Sequence, residues 1–227
     1  MQPIAHIQND FDTKFGIPRQ SGLVESSIST IVFEPEFRSP EALRGITDFS
    51  HLWLIWEFSE VKKTYDSGAA HWSPTVRPPR LGGNTRVGVF ATRSPFRPNP
   101  IGLSCVRLAE VKHHPTFGQI LLIQGADLMN GTPIYDIKPY LPYVDAHPDA
   151  VGGFAEEKKW YHLQINCPDE LLARLPEESR AALPELLAQD PRPSYQKDPE
   201  RVYGFSYAGH EIQFQVRDGL LTVLHIS

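Results

Sequence analysis

Short apolar runs rich in β-branched and aromatic residues recur along the chain, and they predict β-strands. In the first 150 residues the predicted strands are 29–33, 52–58, 87–92, 103–111 and 119–124. Stretches with glycine, proline or asparagine, such as 81–84, 114–118 and 130–133, separate them and are typical of turns. Many short strands between such turns indicate a mainly β chain, folded as a sandwich or a barrel.

Helical patterns are few and lie mostly near the C-terminus. One helix is predicted within 39–49, where Pro40 follows Ser39 as a candidate N-cap. After about residue 165 the pattern predicts helices over 169–175 and 177–188. Three strands, 202–207, 211–216 and 220–226, are predicted to end the chain. We therefore predict two domains: a β domain over 1–150 and a small α+β domain over 151–227.

The charge of the chain is unevenly distributed. The formal net charge is −5 over 227 residues, which argues against a global attraction to polyanions. Between Asp66 and Glu110, however, there is no acidic residue. The arginines in this stretch are Arg77, Arg80, Arg86, Arg93, Arg97 and Arg107. Pro95, Pro98 and Pro100 restrict the backbone around two of them, which favours a rigid basic loop over a merely solvated surface.

The sequence lacks the motifs of several common catalytic classes. We find no P-loop, no G-x-S-x-G, no H-E-x-x-H and no glycine fingerprint of a Rossmann cofactor site. Cys105 and Cys167 match no metal-ligand spacing, so no metal is predicted. No signal peptide and no apolar run of about 20 residues is present, so we expect no membrane segment and a cytoplasmic location.

Polar loops stiffened by proline or glycine are the remaining candidates for a binding site, because such sites usually lie on loops of a rigid scaffold. They are 18–20, 93–104, 127–133 and 136–140, each predicted at a strand end. In 127–133 the polar groups suit a bound ligand, but a tight turn with local side-chain hydrogen bonds explains them equally well.

Several motifs together resemble the TsaA-like family. They are PRQSGLV (18–24), FSHLW (49–53), PPRLGGN (78–84), GVFATRS (88–94), FRPNPIG (96–102) and DIKPY (136–140). Bacterial members of that family are S-adenosylmethionine-dependent methyltransferases that modify N6 of threonylcarbamoyladenosine, at position 37 next to the tRNA anticodon. The resemblance implies a β-barrel rather than a Rossmann fold, and a homodimer. Residues 190–195 resemble a loop of the C-terminal domain found in the bacterial subset.

The resemblance also implies a site for S-adenosylmethionine. The implied cofactor residues are Pro18, Arg19, Gln20, Ser59, Glu60, Arg93, Leu103, Asp127, Leu128, Met129 and Asn130. Ser59 stands where the family commonly has histidine, and Asn130 stands where it commonly has aspartate. An arginine suits the cofactor's carboxylate and an aspartate its amine or ribose hydroxyls, so Arg93 and Asp127 divide these duties.

The tRNA anticodon loop is the implied partner, read through phosphates and splayed-out bases. The residues assigned to it are Arg77, Arg80, Arg86, Arg97, Asn99, Tyr140, Arg192 and Tyr195. Asp136 or Asp127, or else water, would accept the proton lost from N6. A non-catalytic β-barrel that binds a nucleotide-like ligand or RNA is the alternative, and a metal-dependent hydrolase is disfavoured by the lack of clustered ligands.

Overall fold

Six antiparallel strands form the main sheet of the computed structural model, which describes residues 1–78, 81–82, 84–158, 162–192 and 198–227. They are β1 (Ala5–Gln8), β2 (Ile28–Phe33), β3 (His51–Glu57), β6 (Ile101–His114), β7 (Gly118–Gln124) and β8 (Pro133–Pro139). The sheet closes on itself in the order β1-β2-β7-β6-β3-β8. The prediction of a mainly β chain is confirmed, although β1 and β8 were not predicted and 136–140 is largely strand rather than loop.

Two segments before β6 differ from the sequence prediction. Instead of one strand over 87–92, a two-stranded ladder of β4 (Thr75–Val76) and β5 (Val87–Gly88) is followed by a 3₁₀ turn, Val89–Ala91. The predicted helix within 39–49 is wrong, because two 3₁₀ turns, Pro40–Leu43 and Ile46–Asp48, occupy it. Gly45 separates them with a φ of 83°, which no helix can continue through.

Alternation along β3 builds the core inside the closed sheet. Leu52, Leu54 and Trp56 point inward and are buried. Trp56 lies opposite Gly102 of β6, and a Cβ at that glycine would come within 2.2 Å of the indole ring. The indole Nε1 donates a hydrogen bond to Ser104 Oγ at 2.9 Å. The missing side chain at position 102 is therefore what lets a tryptophan fit at this end of the core.

The C-terminal part is a four-stranded sheet covered by short helices. Its strands, in sheet order, are β10 (Tyr203–Tyr207), β11 (His210–Arg217), β12 (Leu220–Ile226) and β9 (Gln164–Asn166), the last parallel to β12. The helices are α3 (Asp169–Leu172), α4 (Glu177–Arg180) and α5 (Ala182–Ala188); earlier in the chain lie α1 (Ser59–Asp66) and α2 (Pro142–Asp145). The two predicted C-terminal helices are thus shorter and divided, while the three predicted strands are present.

Residues 11–24 belong to the first predicted domain by sequence but pack on the second by contact. Phe11 and Val24 are buried in the C-terminal core, and Phe15 and Ile17 lie against it. The Phe11 ring centroid is 5.9 Å from that of Tyr207. The segment therefore follows strand β1 in the sequence, and its apolar side chains help to complete the C-terminal core.

We expect Gly102→Ala to lower the free energy of unfolding by about 1–3 kcal/mol, because the new methyl group would overlap a buried ring with little room to move. Gly88→Ala is the matched control: that glycine has a φ of −57° and nothing within 4 Å of the added Cβ. Urea denaturation of both variants measures the difference. Equal stability of Gly102→Ala and the wild type would contradict the packing described.

Candidate functional site

A cleft of about 640 Å³ opens at one end of the closed sheet, where β3 and β7 end and β6 and β8 begin. Its volume lies within the roughly 300–1,000 Å³ typical of small-molecule sites. The predicted cofactor residues that line it are Pro18, Arg19, Gln20, Ser59, Glu60, Arg93, Leu103, Asp127 and Met129. The fold thus brings together loops that are more than 100 residues apart in the sequence.

A chain of hydrogen bonds forms the floor of the cleft. Trp56 Nε1 donates to Ser104 Oγ, which in turn donates to a carboxylate oxygen of Asp127. Burial is the largest influence on this carboxyl and raises its pKa, whereas the Ser104 hydrogen bond, the backbone amide of Ser21 and the charge of Arg93 lower that pKa. The carboxyl is consequently desolvated but well supplied with donors, as a binding or proton-accepting group requires.

A second chain of polar contacts joins the cleft to the C-terminal domain. Arg93 donates to Gln20 Oε1, and the Arg19 guanidinium donates to the carbonyls of Asp190 and Arg192 at 3.0 and 3.4 Å. The Arg192 guanidinium is bonded to the Asp190 carboxylate through two contacts of 2.8 and 2.9 Å. These two side chains are only 11% and 18% exposed. The 190–192 turn is therefore a rigid acceptor for Arg19.

Helix α1 supplies the opposite wall. Ser59 and Glu60 lie in its first turn and reach the cleft. The Phe58 amide, just before the helix, donates to the carbonyl of Pro100 at 2.8 Å. This bond connects the helix start to the loop that contains Pro95, Pro98 and Pro100, called the proline loop below. The hydrogen bond from Lys63 lowers the pKa of the Glu60 carboxyl. Ser59 places a hydroxyl at the cleft, in the position where the family commonly has the imidazole of a histidine.

Two predicted cofactor side chains do not reach the cleft. Leu128 is fully buried in the core of the closed sheet, and its carbonyl accepts a hydrogen bond from Asn9 at 2.9 Å. Asn130 donates to Asp12 at 3.0 Å and accepts from the Asn9 amide at 3.2 Å. These two side chains shape the 127–132 turn, which presents Asp127 and Met129 to the cleft, and the assignment of residues 128 and 130 to the cofactor stays a prediction.

The proline loop owes its shape partly to Arg97. One guanidinium nitrogen of Arg97 donates to the carbonyls of Thr92 and Ser94, at 2.9 and 3.1 Å. These bonds satisfy carbonyls that the closely spaced prolines leave without backbone donors. Arg97 lines the cleft, but the hydrogen bonds of its guanidinium stabilise the loop.

Two other predicted residues lie away from the cleft. Asp136 is on β8, where it pairs with Lys138 at 2.9 Å and does not line the cleft, so the geometry does not support it as the proton acceptor. Tyr140 packs against Trp53 and His51, with ring centroids 5.8 and 6.2 Å apart, rather than across the site.

A larger cleft of about 1,390 Å³ adjoins the first and shares Arg19, Gln20, Arg93 and Phe96 with it. Of the residues assigned to tRNA, those that line it are Arg77, Arg86 and Arg192. Asn99 is exposed but lines neither cleft. Arg80 and Tyr195 lie outside the described residues. Arg192 is bonded to Asp190 within the 190–192 turn, and its predicted contact with a tRNA phosphate stays a prediction.

Sequence reasoning missed Ser104 and Trp56, the two residues that hold Asp127. The available signal was the alternation of β6, in which Gly102, Ser104 and Val106 occupy inward positions. A serine at an inward position between apolar neighbours requires a buried partner. Among the described residues, no group of three His, Cys, Asp or Glu side chains comes together as a metal site. In the same part of the chain, no helix has the length and apolar character needed to cross a membrane.

The fold and the cleft define a class of protein: a closed antiparallel β-sheet with a small-molecule site at one end, unlike the doubly wound sheets that bind nucleotides at a glycine-rich loop. Residues 6–146 match the family model for the tRNA-methyltransferase O N-terminal domain, and residues 161–227 match that for the TrmO C-terminal domain. The chain belongs to the tRNA-methyltransferase O family, which confirms the resemblance found in the sequence.

Relatives and solved structures agree with this membership. A tRNA (adenine(37)-N6)-methyltransferase of Escherichia coli is 41% identical over 95% of this chain and 91% of its own length. One from Eikenella corrodens is 46% identical over 77% of this chain and 95% of its own. A crystal structure of TrmO from Pseudomonas aeruginosa superposes with a TM-score of 0.78 at 33% identity, covering 99% of this chain and 94% of that one.

Proposed function

We propose that the protein transfers a methyl group from S-adenosylmethionine to N6 of adenosine 37 in tRNA, and that threonylcarbamoyladenosine is the form of the adenosine it accepts. The observation that carries this proposal is the convergence of positions 18–20, 59–60, 93, 103, 127 and 129 on one cleft of suitable size. Family membership and the names of the relatives support the same activity.

Charge at the cleft suits the cofactor. The cofactor supplies a methyl group activated by a sulfonium, with an amino-acid tail that carries both charges. Arg93 offers a guanidinium to the tail's carboxylate, and Asp127 offers a carboxylate to its amine or to a ribose hydroxyl. Ser104 and Trp56 hold Asp127 in one orientation, so little has to reorganise on binding.

Proton removal from N6 falls to a group at the cleft, because the nitrogen of the urea-like substrate must lose its proton as it is methylated. Asp127 lies there and Asp136 does not. Burial raises the pKa of Asp127, which makes this carboxylate a stronger base than an exposed one. Of the two carboxylates predicted as acceptors, Asp127 is therefore the candidate, in place of a contact with the cofactor, and water is the acceptor if Asp127 binds the cofactor. Arg19 at the rim supplies a cation for the additional carboxylate of a threonylcarbamoyl group.

Methyl transfer tests the proposal. The full chain is incubated with S-adenosylmethionine labelled in its methyl group and with tRNA that carries or lacks the threonylcarbamoyl group. We expect label in the modified tRNA only, undiminished by a chelator. Equal labelling of both tRNAs would contradict the threonylcarbamoyl preference. Binding of cofactor and tRNA without any transfer would favour the non-catalytic alternative.

Asp127→Asn and Asp136→Asn form a matched pair in the same assay. The first should lower the rate by about 100-fold, as loss of a positioned proton acceptor does. The second should retain the wild-type rate.

The outer face of the closed sheet supports a further proposal, that the protein is a homodimer. We also propose that it works in the cytoplasm, where its tRNA is found. Trp53 and Ile55 of β3 lie beside Cys105 and Leu103 of β6 on this face, and Leu103 is 57% exposed. A contiguous apolar strip of this kind is typical of an interface. Since Trp53 and Leu103 also line the first cleft, a partner packed here would border the site.

Light scattering should give the mass of a dimer at micromolar concentration. Ile55→Glu should give a monomer, because a charge would be buried in an interface of at least roughly 1,000 Å². Leu224→Glu, on an exposed position of the C-terminal sheet, is the control and should leave the dimer intact. A wild-type monomer would remove the proposal.

A further inference from the structure

The second cleft combines positive charge with aromatic surface. Five arginines and four phenylalanines line it. None of the described residues in the lining is Asp or Glu. The whole chain, by contrast, has a net charge of −5. A cleft with this lining attracts an anion that also has flat apolar surface.

Two of the arginines are placed by the β4–β5 ladder. Thr75 pairs with Gly88 and Val76 with Val87, and Arg77 directly follows the first strand while Arg86 directly precedes the second, so both arginines lie at the same end of the ladder. One Arg86 nitrogen donates to Thr75 Oγ1 at 2.7 Å, which orients the guanidinium along the ladder. Like charges at the same end of a short ladder repel each other, and an anion bound near both arginines would reduce that repulsion.

Two phenylalanines project into the same cleft from the stretch that follows. Phe90 is 75% exposed and Phe96 is 49% exposed. Their backbones are held, because the neighbouring Val89 is 1% exposed and its carbonyl accepts the hydroxyl of Thr92 at 2.8 Å. Pro95 restricts the chain just before Phe96. These rings are thus presented on a rigid support, with little conformational freedom to lose when they stack.

The position of this cleft relative to the first limits what can occupy it. The two clefts share Arg19, Gln20, Arg93 and Phe96 and are therefore contiguous, so that one bound molecule can extend from the first cleft into the second. An adenosine inserted in the first cleft has neighbouring nucleotides on both sides, and in a loop these nucleotides are unpaired. Phosphates and unstacked bases are the chemistry that paired arginines and exposed phenylalanines recognise.

We propose that the second cleft holds the unpaired nucleotides adjacent to the methylated adenosine, with Phe90 and Phe96 as stacking surfaces and Arg77 and Arg86 as phosphate contacts. This inference rests on the proposed function and adds the path of the RNA. Phe90 was not singled out from the sequence, because its exposure and its place in the second cleft become visible only in the fold.

Binding of an anticodon stem-loop RNA with adenosine at position 37 tests the inference, measured by fluorescence anisotropy over a series of salt concentrations. Phe90→Ala and Phe96→Ala should each raise the Kd about tenfold, within the range observed for loss of one stacked base. Phe90→Trp should retain the affinity, whereas Phe90→Leu, apolar but without an aromatic face, should not. Arg77→Ala should reduce the salt dependence by about one ion.

Controls keep the possible outcomes apart. Tyr143→Ala and Arg44→Ala replace exposed residues outside both clefts and should bind RNA like the wild type. Calorimetry with S-adenosylmethionine should give wild-type affinity for Phe90→Ala, which shows that the fold and the first cleft are intact.

Three results would overturn the inference. Wild-type RNA binding by both phenylalanine variants, in a chain that methylates tRNA, would refute the cleft and leave the proposed function standing. A change in the oligomeric mass of Phe90→Ala, with RNA affinity unchanged, would make this face an interface between copies. A wild type that neither binds nor methylates tRNA would refute the proposed function itself.

Discussion

The segment 11–24 is anchored in the C-terminal core and bonded to the closed sheet, and the candidate site depends on that constraint. On one side Phe11 and Val24 are buried in the C-terminal core. Within the segment Gly16 has a φ of 95°, and a Cβ there would come within 2.4 Å of the Phe205 ring. On the other side the Gly22 amide donates to the Gly125 carbonyl of the barrel at 2.8 Å. Residues 18–20 lie between these anchors, directly over the cleft.

Polar contacts continue the same connection across the cleft. Starting from the Asp190–Arg192 ion pair, they pass through Arg19, Gln20 and Arg93 toward Asp127. An isolated surface ion pair contributes little to stability, but this pair is mostly buried and orients two carbonyls. Its value to the protein is geometric: it gives the exposed Arg19 one position. The C-terminal domain therefore orders the loop of residues 18–20 that lines the cleft.

Sequence patterns predicted the strands well wherever β-branched and aromatic residues were continuous, as in β2, β3 and β7. They failed at β8, because Pro133 and the polar residues of 133–139 look like a loop and the strand is defined by its pairing with β3. They failed again at 87–92, where burial of Val89 and a local Thr92 hydrogen bond turn the chain. Tertiary contacts decided both cases.

The motifs predicted which residues line the candidate cleft, whereas the directions of individual side chains could not be predicted from the sequence. The resemblance placed Arg93 and Asp127 in one site, and the fold brings both to one cleft. No local pattern distinguishes Asp127, which faces the cleft, from Asn130, which bonds to Asn9 and Asp12. Likewise, the pairing of Arg192 with Asp190 depends on a backbone φ of 52° at residue 190. Side-chain direction of this kind follows from the assembled fold.

Cofactor affinity after a change at Asp190 tests most directly whether the C-terminal domain orders the cleft. Asp190→Gly tolerates the positive φ but loses the ion pair, whereas Asp190→Asn tolerates the same φ and keeps an acceptor for Arg192. Calorimetry with S-adenosylmethionine on the full chain should show a Kd about five- to tenfold higher for Asp190→Gly than for the wild type, which corresponds to the free energy of about one hydrogen bond. The Kd of Asp190→Asn should lie between the two. Wild-type affinity in a folded Asp190→Gly protein would contradict the account.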